Sequence, residues 1–339
     1  MINDRFISEL MCSKKVSSSL RNILEKAING EIISLREGYE LIEAPMNNIP
    51  VICEVASHLR NLTKGRTVTY SRKVFVPLTT LCRDSCGYCT FAKPPQHPGA
   101  KTLSPDEVLA IVRTGKKNGC KEALFSLGER PELIHELARK HLKQLGYETM
   151  LEYLHDMCKL VLNETGLVPH VNPGSLNHEE MCTLRKVSPS MGMMLESSSV
   201  RLTEKNGPHF GCPDKHPLVR LDTLRLAGEL RVPFTTGILI GIGETRAERV
   251  DSLVDIRRLH ANYGHIQEVI VQNFRAKPGT PMCGSTDPSV DEMVRTLGVA
   301  RIILGPEMNL QAPPNLMPSE YGRYLSAGIN DWGGVSPVT

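Results

Sequence analysis

Short apolar runs alternate with longer amphipathic segments from Lys73 to the end of the chain. The short runs have the length and composition of buried strands, and the longer segments repeat apolar residues at helical spacing. Such alternation is typical of parallel strands joined by crossover helices. Strands are predicted at 74–78, 123–127, 168–171, 192–195, 234–240 and 269–273, with two further candidates at 309–312 and 331–335. Helices are predicted between them at 105–117, 151–163, 179–185, 217–230, 246–263 and 290–304.

The number of these units bears on the architecture. About eight strand–helix units in about 265 residues fit an α/β fold of the (β/α)8 barrel type better than a doubly wound sheet. Periodicity alone leaves both architectures open. A barrel makes a further demand, because its reactive residues should lie at the C-terminal ends of the strands.

The first part of the chain has a different pattern. Apolar residues recur at helical spacing between positions 20 and 27, Ser34 and Glu37 have the spacing of a capping box, and a third helix is predicted at 51–62. We therefore expect a short N-terminal helical extension at 1–69, followed by the barrel at 70–339.

Composition narrows the functional class. The chain has 339 residues, 40% of them hydrophobic, and a formal net charge of only +3 without a basic patch, so nothing indicates a nucleic-acid partner. The apolar runs are too short to cross a bilayer, and the N-terminus does not resemble a signal peptide, so no membrane association is expected. Seven of the 10 cysteines are isolated, which favours a reducing compartment, and we expect a cytoplasmic protein acting on small molecules.

The other three cysteines are crowded into the segment TLCRDSCGYCTFAK, directly after the first predicted barrel strand. Cys82, Cys86 and Cys89 form a compact trio, whereas structural zinc sites commonly use two separated ligand pairs. Three thiolates can hold three irons of a [4Fe-4S] cluster and leave the fourth iron open. The alternatives are a zinc site completed by His97 or Cys120, or an incidental or redox-active group of cysteines.

The spacing Cys-x3-Cys-x2-Cys, with Tyr88 before the last cysteine, resembles the signature of the radical S-adenosylmethionine (SAM) enzymes. This resemblance implies two cofactors, a [4Fe-4S] cluster on Cys82, Cys86 and Cys89, and SAM on the open iron. In that family the cluster reduces SAM to methionine and a 5'-deoxyadenosyl radical. Tyr88 would lie beside the adenine.

Later strand ends carry polar residues that the same resemblance places around SAM. Gly128 and Glu129 resemble the family's Gly-Gly-Glu element, which meets the methionyl ammonium. Glu196 would face the ribose, and Arg201 would reach the methionyl carboxylate. The alternative roles are a helix N-terminal charge for Glu129, a turn cap for Glu196 and a solvated charge for Arg201.

Two further strand ends complete the predicted SAM site. Gly241 lies in GILIGIGET, which resembles the family's glycine-rich fifth-strand element and would let the backbone approach the adenosine. Gln272, followed by Asn273, would read an edge of adenine or substrate; the alternative is a buried amide with satisfied hydrogen bonds.

Motifs from Tyr70 to the last residue carry a narrower resemblance. ALFSLGERPE, HVNPGSL, SPSMGMMLESSS, HFGCPDKHP, QAPPNL and DWGGVSPVT together resemble the family of 7,8-didemethyl-8-hydroxy-5-deazariboflavin (FO) synthase subunits that perform the ring-closing step. Cys212 departs from the serine expected in that family. The end at Thr339 also departs from it, and indicates a trimmed chain or the first half of a fused two-barrel synthase.

This narrower resemblance implies a reaction and partners. A deoxyadenosyl radical would abstract hydrogen from a tyrosine-derived adduct of 5-amino-6-(D-ribitylamino)uracil, the resulting radical would close the ring, and loss of ammonia with oxidation would give FO, the precursor of coenzyme F420. The adduct would come from a partner radical SAM subunit or domain, and electrons from a reductant such as ferredoxin or flavodoxin. The proton-transfer groups are not identified. Candidate substrate contacts are Arg130, His170, Asn172, His209, Asp214, Lys215, Arg275, Asn315 and Asp331.

Two competing interpretations follow from the same residues. The chain could be another radical SAM enzyme with a similar barrel, from the aminofutalosine branch of menaquinone synthesis or of the biotin-synthase type. A biotin-type enzyme needs ligands for a second cluster, and the isolated cysteines do not group in that way. The second interpretation is a zinc-stabilised binding module, which has no use for polar residues at successive strand ends.

Overall fold

The strands predicted from the alternating pattern close into a barrel in the computed structural model, which describes residues 16–338. Each strand pairs in parallel with the next along the chain, and the eighth pairs with the first. The strands are β1 Thr69–Pro77, β2 Glu122–Ser126, β3 Val168–Asn172, β4 Ser190–Gly192, β5 Phe234–Ile240, β6 Ile266–Asn273, β7 Leu310–Gln311 and β8 Asp331–Val335. The predicted (β/α)8 architecture is therefore confirmed.

Helices precede the barrel and cover its outside. The helices are α1 Ser18–Ile28, α2 Leu35–Ile42, α3 Ile49–Lys64, α4 Pro105–Lys117, α5 Glu136–Leu145, α6 Met150–Thr165, α7 His178–Leu184, α8 Pro217–Glu229, α9 Arg246–Tyr263, α10 Val290–Leu304 and α11 Gly322–Ser326. Many begin where a side chain satisfies free backbone N–H groups. Ser104 and Glu107 form such a capping box on α4, and Thr245 and Glu248 form one on α9.

Several predicted boundaries agree with the structure, including those of β5, β8, α4, α9 and α10. The fourth strand was placed wrongly, because it ends at Gly192 instead of beginning there. Beyond it the chain turns through Glu196, whose φ of 65° is in the left-handed region, and makes one isolated bridge to Ile238. Helix α5 was not predicted, because its sequence is mostly polar and buries only Ala138 and Leu142.

Helices α1 to α3 pack on one side of the barrel against α9 and α10. Arg295 of α10 is buried there and donates to the backbone carbonyls of Ile42 and Ala44, which holds the end of α2 against the barrel. Tyr39 of α2 donates to the Asp251 carboxylate of α9. Residues 1–15 of the predicted extension lie outside the described residues.

Another arginine fastens the N-terminal ends of β7 and β8. Arg301 is fully buried, and its guanidinium donates to the carbonyls of Gly328 at 2.8 Å and Met308 at 2.6 Å and to Asn330 Oδ1 at 2.8 Å. It also donates to the carbonyls of Gly305 and Pro306. These oxygens come from the loops that lead into the last two strands, so one side chain fixes the closing edge of the barrel.

None of the helices in the part of the chain that the structure describes combines the length and the apolar character needed to cross a membrane.

The Arg301 contacts predict a stability effect. Replacing Arg301 by Met should lower the free energy of unfolding by about 3 kcal/mol or more, because buried carbonyl oxygens would lose their donors. Urea denaturation followed by circular dichroism measures this change. The matched control is Arg225→Met, since Arg225 lies on the surface of α8 and pairs only with exposed carboxylates. Equal midpoints for the two variants would contradict this role of Arg301.

Candidate active site

A cavity of about 380 Å³ opens at the C-terminal ends of the strands. Its walls include Ser126, Asn172 and Gly192, the last residues of β2, β3 and β4, and Gln272 near the end of β6. The loop after β1 supplies much of the rim, including all three cysteines of the trio, and the loops after β2, β3 and β4 supply most of the remainder. The reactive residues therefore lie at the end of the barrel where this architecture places them.

The cysteine loop is fastened to neighbouring loops by backbone hydrogen bonds. The N–H of Arg83 donates to the carbonyl of Glu129 at 2.7 Å, and the N–H of Gly87 donates to the carbonyl of Pro208 at 2.8 Å. The N–H of Glu129 in turn donates to Cys82 Sγ at 3.2 Å. Cys86 is buried, whereas Cys82 and Cys89 are half-buried and face the cavity.

The arrangement of the three sulfurs can be compared with the ligand spacing around a single metal ion. Thiolates around a tetrahedral zinc lie about 3.8 Å apart, since Zn–S bonds are about 2.3 Å long. Within residues 16–338, the only group of three His, Cys, Asp or Glu ligand atoms within 4.8 Å of one another comprises Asp84, Glu129 and Asp214. The three cysteine sulfurs do not form such a group among these residues, so they are not arranged as a ready-made site for one ion.

The two proposed fourth zinc ligands lie elsewhere. Cys120 precedes β2, at the opposite end of the barrel from the cavity. His97 does not line the cavity, and its Nδ1 accepts the N–H of Gly99 at 2.9 Å. All nine cysteines among the described residues are free. Neither of the two residues therefore lines the cavity; the further cysteine that contacts the trio is the buried Cys212, whose side chain is hydrogen-bonded to that of Cys86.

Gly128 lets the second strand end pass directly under the cysteine loop. A Cβ at this position would lie 1.9 Å from the carbonyl oxygen of Leu81 and 2.7 Å from Cys82 Cβ. No other residue type fits without moving the first cysteine. This close approach is the structural reason for glycine beside the trio.

The carboxylate of Glu129 is oriented by several contacts. It accepts the backbone N–H of Ser175 at 2.6 Å and the hydroxyl of the same residue, and Arg220 lies 3.6 Å away. Burial raises the pKa of Glu129, while the charge of Arg220 opposes that rise. Glu129 is therefore a fixed, desolvated carboxylate next to the cysteine loop, suited to bind a cation.

Asp84 is a buried carboxylate that the sequence analysis did not single out. It is only 5% exposed and lines the cavity, and its Oδ2 has no hydrogen-bond partner among the described residues. Burial, together with the nearby charges of Glu129 and Asp214, raises the pKa of Asp84 to about 6. Its position between Cys82 and Cys86 could have identified Asp84 from the sequence. A carboxylate is unusual inside a metal-binding loop if the residues between the cysteines serve only as linkers.

Four side chains form a polar network on another wall of the cavity. Lys215 Nζ donates to Glu196 Oε1 at 2.7 Å and lies 6.0 Å from the centroid of the Tyr88 ring. The hydroxyl of Tyr88 lies 2.9 Å from His209 Nε2. Burial favours a higher pKa for Glu196, but the charges of Lys215 and Arg220 outweigh it and hold that pKa below its usual value.

The structure brings part of the predicted site together. The predicted residues that line the cavity are Cys82, Cys86, Cys89, Tyr88, Gly128, Glu129, Glu196, Gln272, Asn172 and Lys215. His209 and Asp214 do not line the cavity but contact residues next to it. His209 contacts Tyr88, and Asp214 pairs with Arg83. His170 is buried in β3 and lies 2.7 Å from Ser190 Oγ.

The other predicted residues lie away from the cavity. Arg201 is 49% exposed and pairs with Glu248, and Arg130 pairs with Glu180 at 2.8 Å. Gly241 borders a separate surface depression, and its N–H donates to Glu244 Oε1 at 2.8 Å. Of the remaining three, Arg275 pairs with Asp287 at 3.0 Å, Asn315 lies in an exposed turn, and Asp331 begins β8 at the opposite end of the barrel.

Comparison with known families agrees with this geometry. Residues 76–256 match the model of the Radical SAM superfamily, which covers the cysteine loop and the strands from the end of β1 through β5. This chain belongs to the radical SAM superfamily.

Comparison with individual relatives gives a more specific assignment within the superfamily. The chain is 53% identical over 272 residues to the 7,8-didemethyl-8-hydroxy-5-deazariboflavin synthase of Methanopyrus kandleri, an alignment that covers 80% of this chain and 81% of the relative. It is 47% identical to the FO synthase of Mycobacterium tuberculosis, over 95% of this chain but 40% of that protein. The chain therefore belongs to this synthase family, and spans about two fifths of the length of the mycobacterial FO synthases it matches. Neither the biotin-type nor the zinc-module interpretation is favoured.

Solved structures of low sequence identity share the fold. The [FeFe]-hydrogenase maturase HydG superposes with a TM-score of 0.78 at 17% identity, covering 98% of this chain and 71% of HydG. Methylornithine synthase superposes with a TM-score of 0.72 at 19% identity, covering 92% of this chain and 85% of that protein.

The cavity of this radical SAM protein fits the superfamily's two cofactors, a [4Fe-4S] cluster and SAM. Three thiolates supply the ligands for three irons. The unpartnered Oδ2 of Asp84 and the fixed carboxylate of Glu129 suit a ligand that carries positive charge, as SAM does.

The contacts of Gly128 predict the effect of adding one methyl group. In Gly128→Ala the new Cβ must displace Leu81 or Cys82, so the reconstituted protein should hold less than half the iron of the unaltered protein. Iron and sulfide analysis after anaerobic reconstitution measures this loss. Gly284→Ala is the matched control, because nothing lies within 4 Å of a Cβ built there. Full iron content in Gly128→Ala would contradict the tight fit.

Proposed function

We propose that this chain catalyses the ring-closing step of FO formation. The observation that carries the proposal is the trio of thiolates at a barrel-end cavity in a chain 53% identical to a 7,8-didemethyl-8-hydroxy-5-deazariboflavin synthase along most of both proteins. The substrate is the tyrosine-derived adduct of 5-amino-6-(D-ribitylamino)uracil, and the products are FO and ammonia. When bound, the two cofactors supply a 5'-deoxyadenosyl radical that abstracts a hydrogen atom from the adduct.

The chain's own residues position the cofactors. Cys82, Cys86 and Cys89 hold the cluster, and Gly128 allows the second strand end to approach it. Glu129 faces the methionyl ammonium, held in place by Ser175 and Arg220. Because Arg201 lies outside the cavity, Arg220 is the arginine on the cavity wall that takes its place toward the methionyl carboxylate.

The same walls separate the reaction from water. Leu127, Met193 and Met194 give the cavity an apolar lining between its polar groups. Phe91 is 68% exposed at the rim, where a bound substrate would cover it. Exclusion of water protects a carbon radical from side reactions. Asn172 and Gln272 offer amide groups suited to the edge of a pyrimidine ring.

The reaction requires partners that supply its adduct and its electrons. The mycobacterial FO synthases are much longer than this chain, which supports an adduct-forming partner, either a separate radical SAM subunit or a further domain. Electrons would come from ferredoxin or flavodoxin. The nine free cysteines are compatible with our proposal that the protein works in the cytoplasm, where thiols stay reduced.

Reconstitution tests this function in two steps. The protein with a full cluster, given SAM and dithionite under anaerobic conditions, should release 5'-deoxyadenosine. Adding the product of an adduct-forming synthase should then give FO, detected by its fluorescence, together with ammonia. Cys89→Ala should abolish both products, whereas Cys158→Ala, in the buried face of α6, should retain both.

Each step has its own contradicting result. A full cluster without SAM cleavage would contradict radical chemistry. SAM cleavage without FO, with the adduct present, would point to a different substrate for the same barrel.

A further inference from the structure

Lys215 has free donors that face the cavity. Its ammonium group donates to Glu196 Oε1 at 2.7 Å, and this is the hydrogen bond that the described residues show for it. An ammonium has three N–H donors, so two are available to a ligand. The side chain is only 14% exposed, yet Lys215 lines the cavity together with Tyr88 and the cluster cysteines. A desolvated cation is thus presented to whatever the cavity holds.

Other proton donors on the cavity wall are committed or unsuitable. Arg220 does not release a proton, because a guanidinium stays charged in proteins. The hydroxyl of Tyr88 is engaged with His209 Nε2 at 2.9 Å. Glu129 is occupied by Ser175 and Arg220. The hydroxyls of threonine and serine are too weakly acidic. Asp84 lies in the cysteine loop, where its free oxygen suits the positive charge of SAM. Among the cationic side chains on the cavity wall, Lys215 is the one with both a transferable proton and a free donor.

Glu196 keeps this lysine in place. Its backbone is held in the left-handed region, with φ of 65°, by hydrogen bonds with the backbone of Gly237 and Leu239 on β5. A residue other than glycine is strained in this conformation, and such strain is common where a side chain must be aimed at a site. Here it directs the carboxylate to Lys215, whose ammonium group it meets at 2.7 Å.

We propose that Lys215 donates the proton to the amino group that leaves as ammonia. This inference rests on the proposed function, which requires loss of one amine after ring closure. The carbon–nitrogen bond breaks with its electron pair on nitrogen, and the proton from Lys215 Nζ completes NH3. A proton leaves the neighbouring ring position as the new double bond forms, and neutral Lys215 is reprotonated. The elimination itself is redox-neutral. The oxidation that FO formation requires comes before it: one hydrogen atom passes to the deoxyadenosyl radical, and the ring-closed radical loses a proton and gives one electron to the one-electron carrier that serves the protein.

The test separates hydrogen abstraction from ammonia loss. In Lys215→Arg the side chain still pairs with Glu196 but cannot release a proton, so 5'-deoxyadenosine should form at close to the unaltered rate. FO formation should fall about 100-fold, in the range typical of a lost general acid. Mass spectrometry should show a ring-closed product that is heavier than FO by one ammonia. Lys215→Ala should behave similarly, and methylammonium should restore FO formation.

The controls keep the outcomes distinct. Lys205→Met, at an exposed position nearby in the chain, should match the unaltered protein in both products. Full FO formation by Lys215→Arg would overturn the proton-donor role and leave a role for charge alone. Equal loss of 5'-deoxyadenosine and FO in all Lys215 variants, with normal iron content, would also overturn it. Absence of FO from the unaltered protein would instead overturn the proposed function itself.

Discussion

The constraint on which the rest of this end of the molecule depends is the grouping of Cys82, Cys86 and Cys89 in one loop at the cavity, beside the buried carboxylates of Asp84 and Glu129. The loop keeps its shape because neighbouring strand ends approach it closely, at Gly128 without a side chain and at Pro208 through the backbone. Arg83 extends from the same loop to pair with Asp214. Three thiolates suit three irons of a [4Fe-4S] cluster and would leave the fourth iron to a small-molecule ligand.

The buried charges of the barrel are divided between its two ends. At the cavity, Glu129, Glu196 and Asp214 each have a cationic partner, whereas Asp84 lies beside two carboxylates without a hydrogen-bond partner for its Oδ2. At the other end, Arg301 is satisfied by neutral oxygens and closes the barrel. One end is therefore organised for binding and the other for stability, as this architecture commonly arranges.

Much of the architecture could be predicted because hydrophobic periodicity is local. The strand at 234–240 is buried along nearly its whole length and ends in an apolar run, and α9 starts at a capping box that can be recognised in the sequence. The cysteine trio could likewise be recognised in the sequence, because its three residues lie within eight positions of one another. The contacts of Arg201 and Arg220 could not be predicted from the sequence, because each depends on which distant residue the fold brings near. Arg201 pairs with Glu248 outside the cavity, whereas Arg220 of α8 pairs with Glu129 inside it. The left-handed turn at Glu196 likewise follows from pairing with β5.

The central claim is that the cluster has one iron without a protein ligand, to which SAM binds. Mössbauer spectroscopy of the ⁵⁷Fe-reconstituted protein, recorded with and without SAM, tests it most directly. The account predicts that SAM changes the signal of one iron and leaves the other three as they were. An unchanged spectrum under saturating SAM, or a protein that retains zinc in place of the cluster, would contradict it.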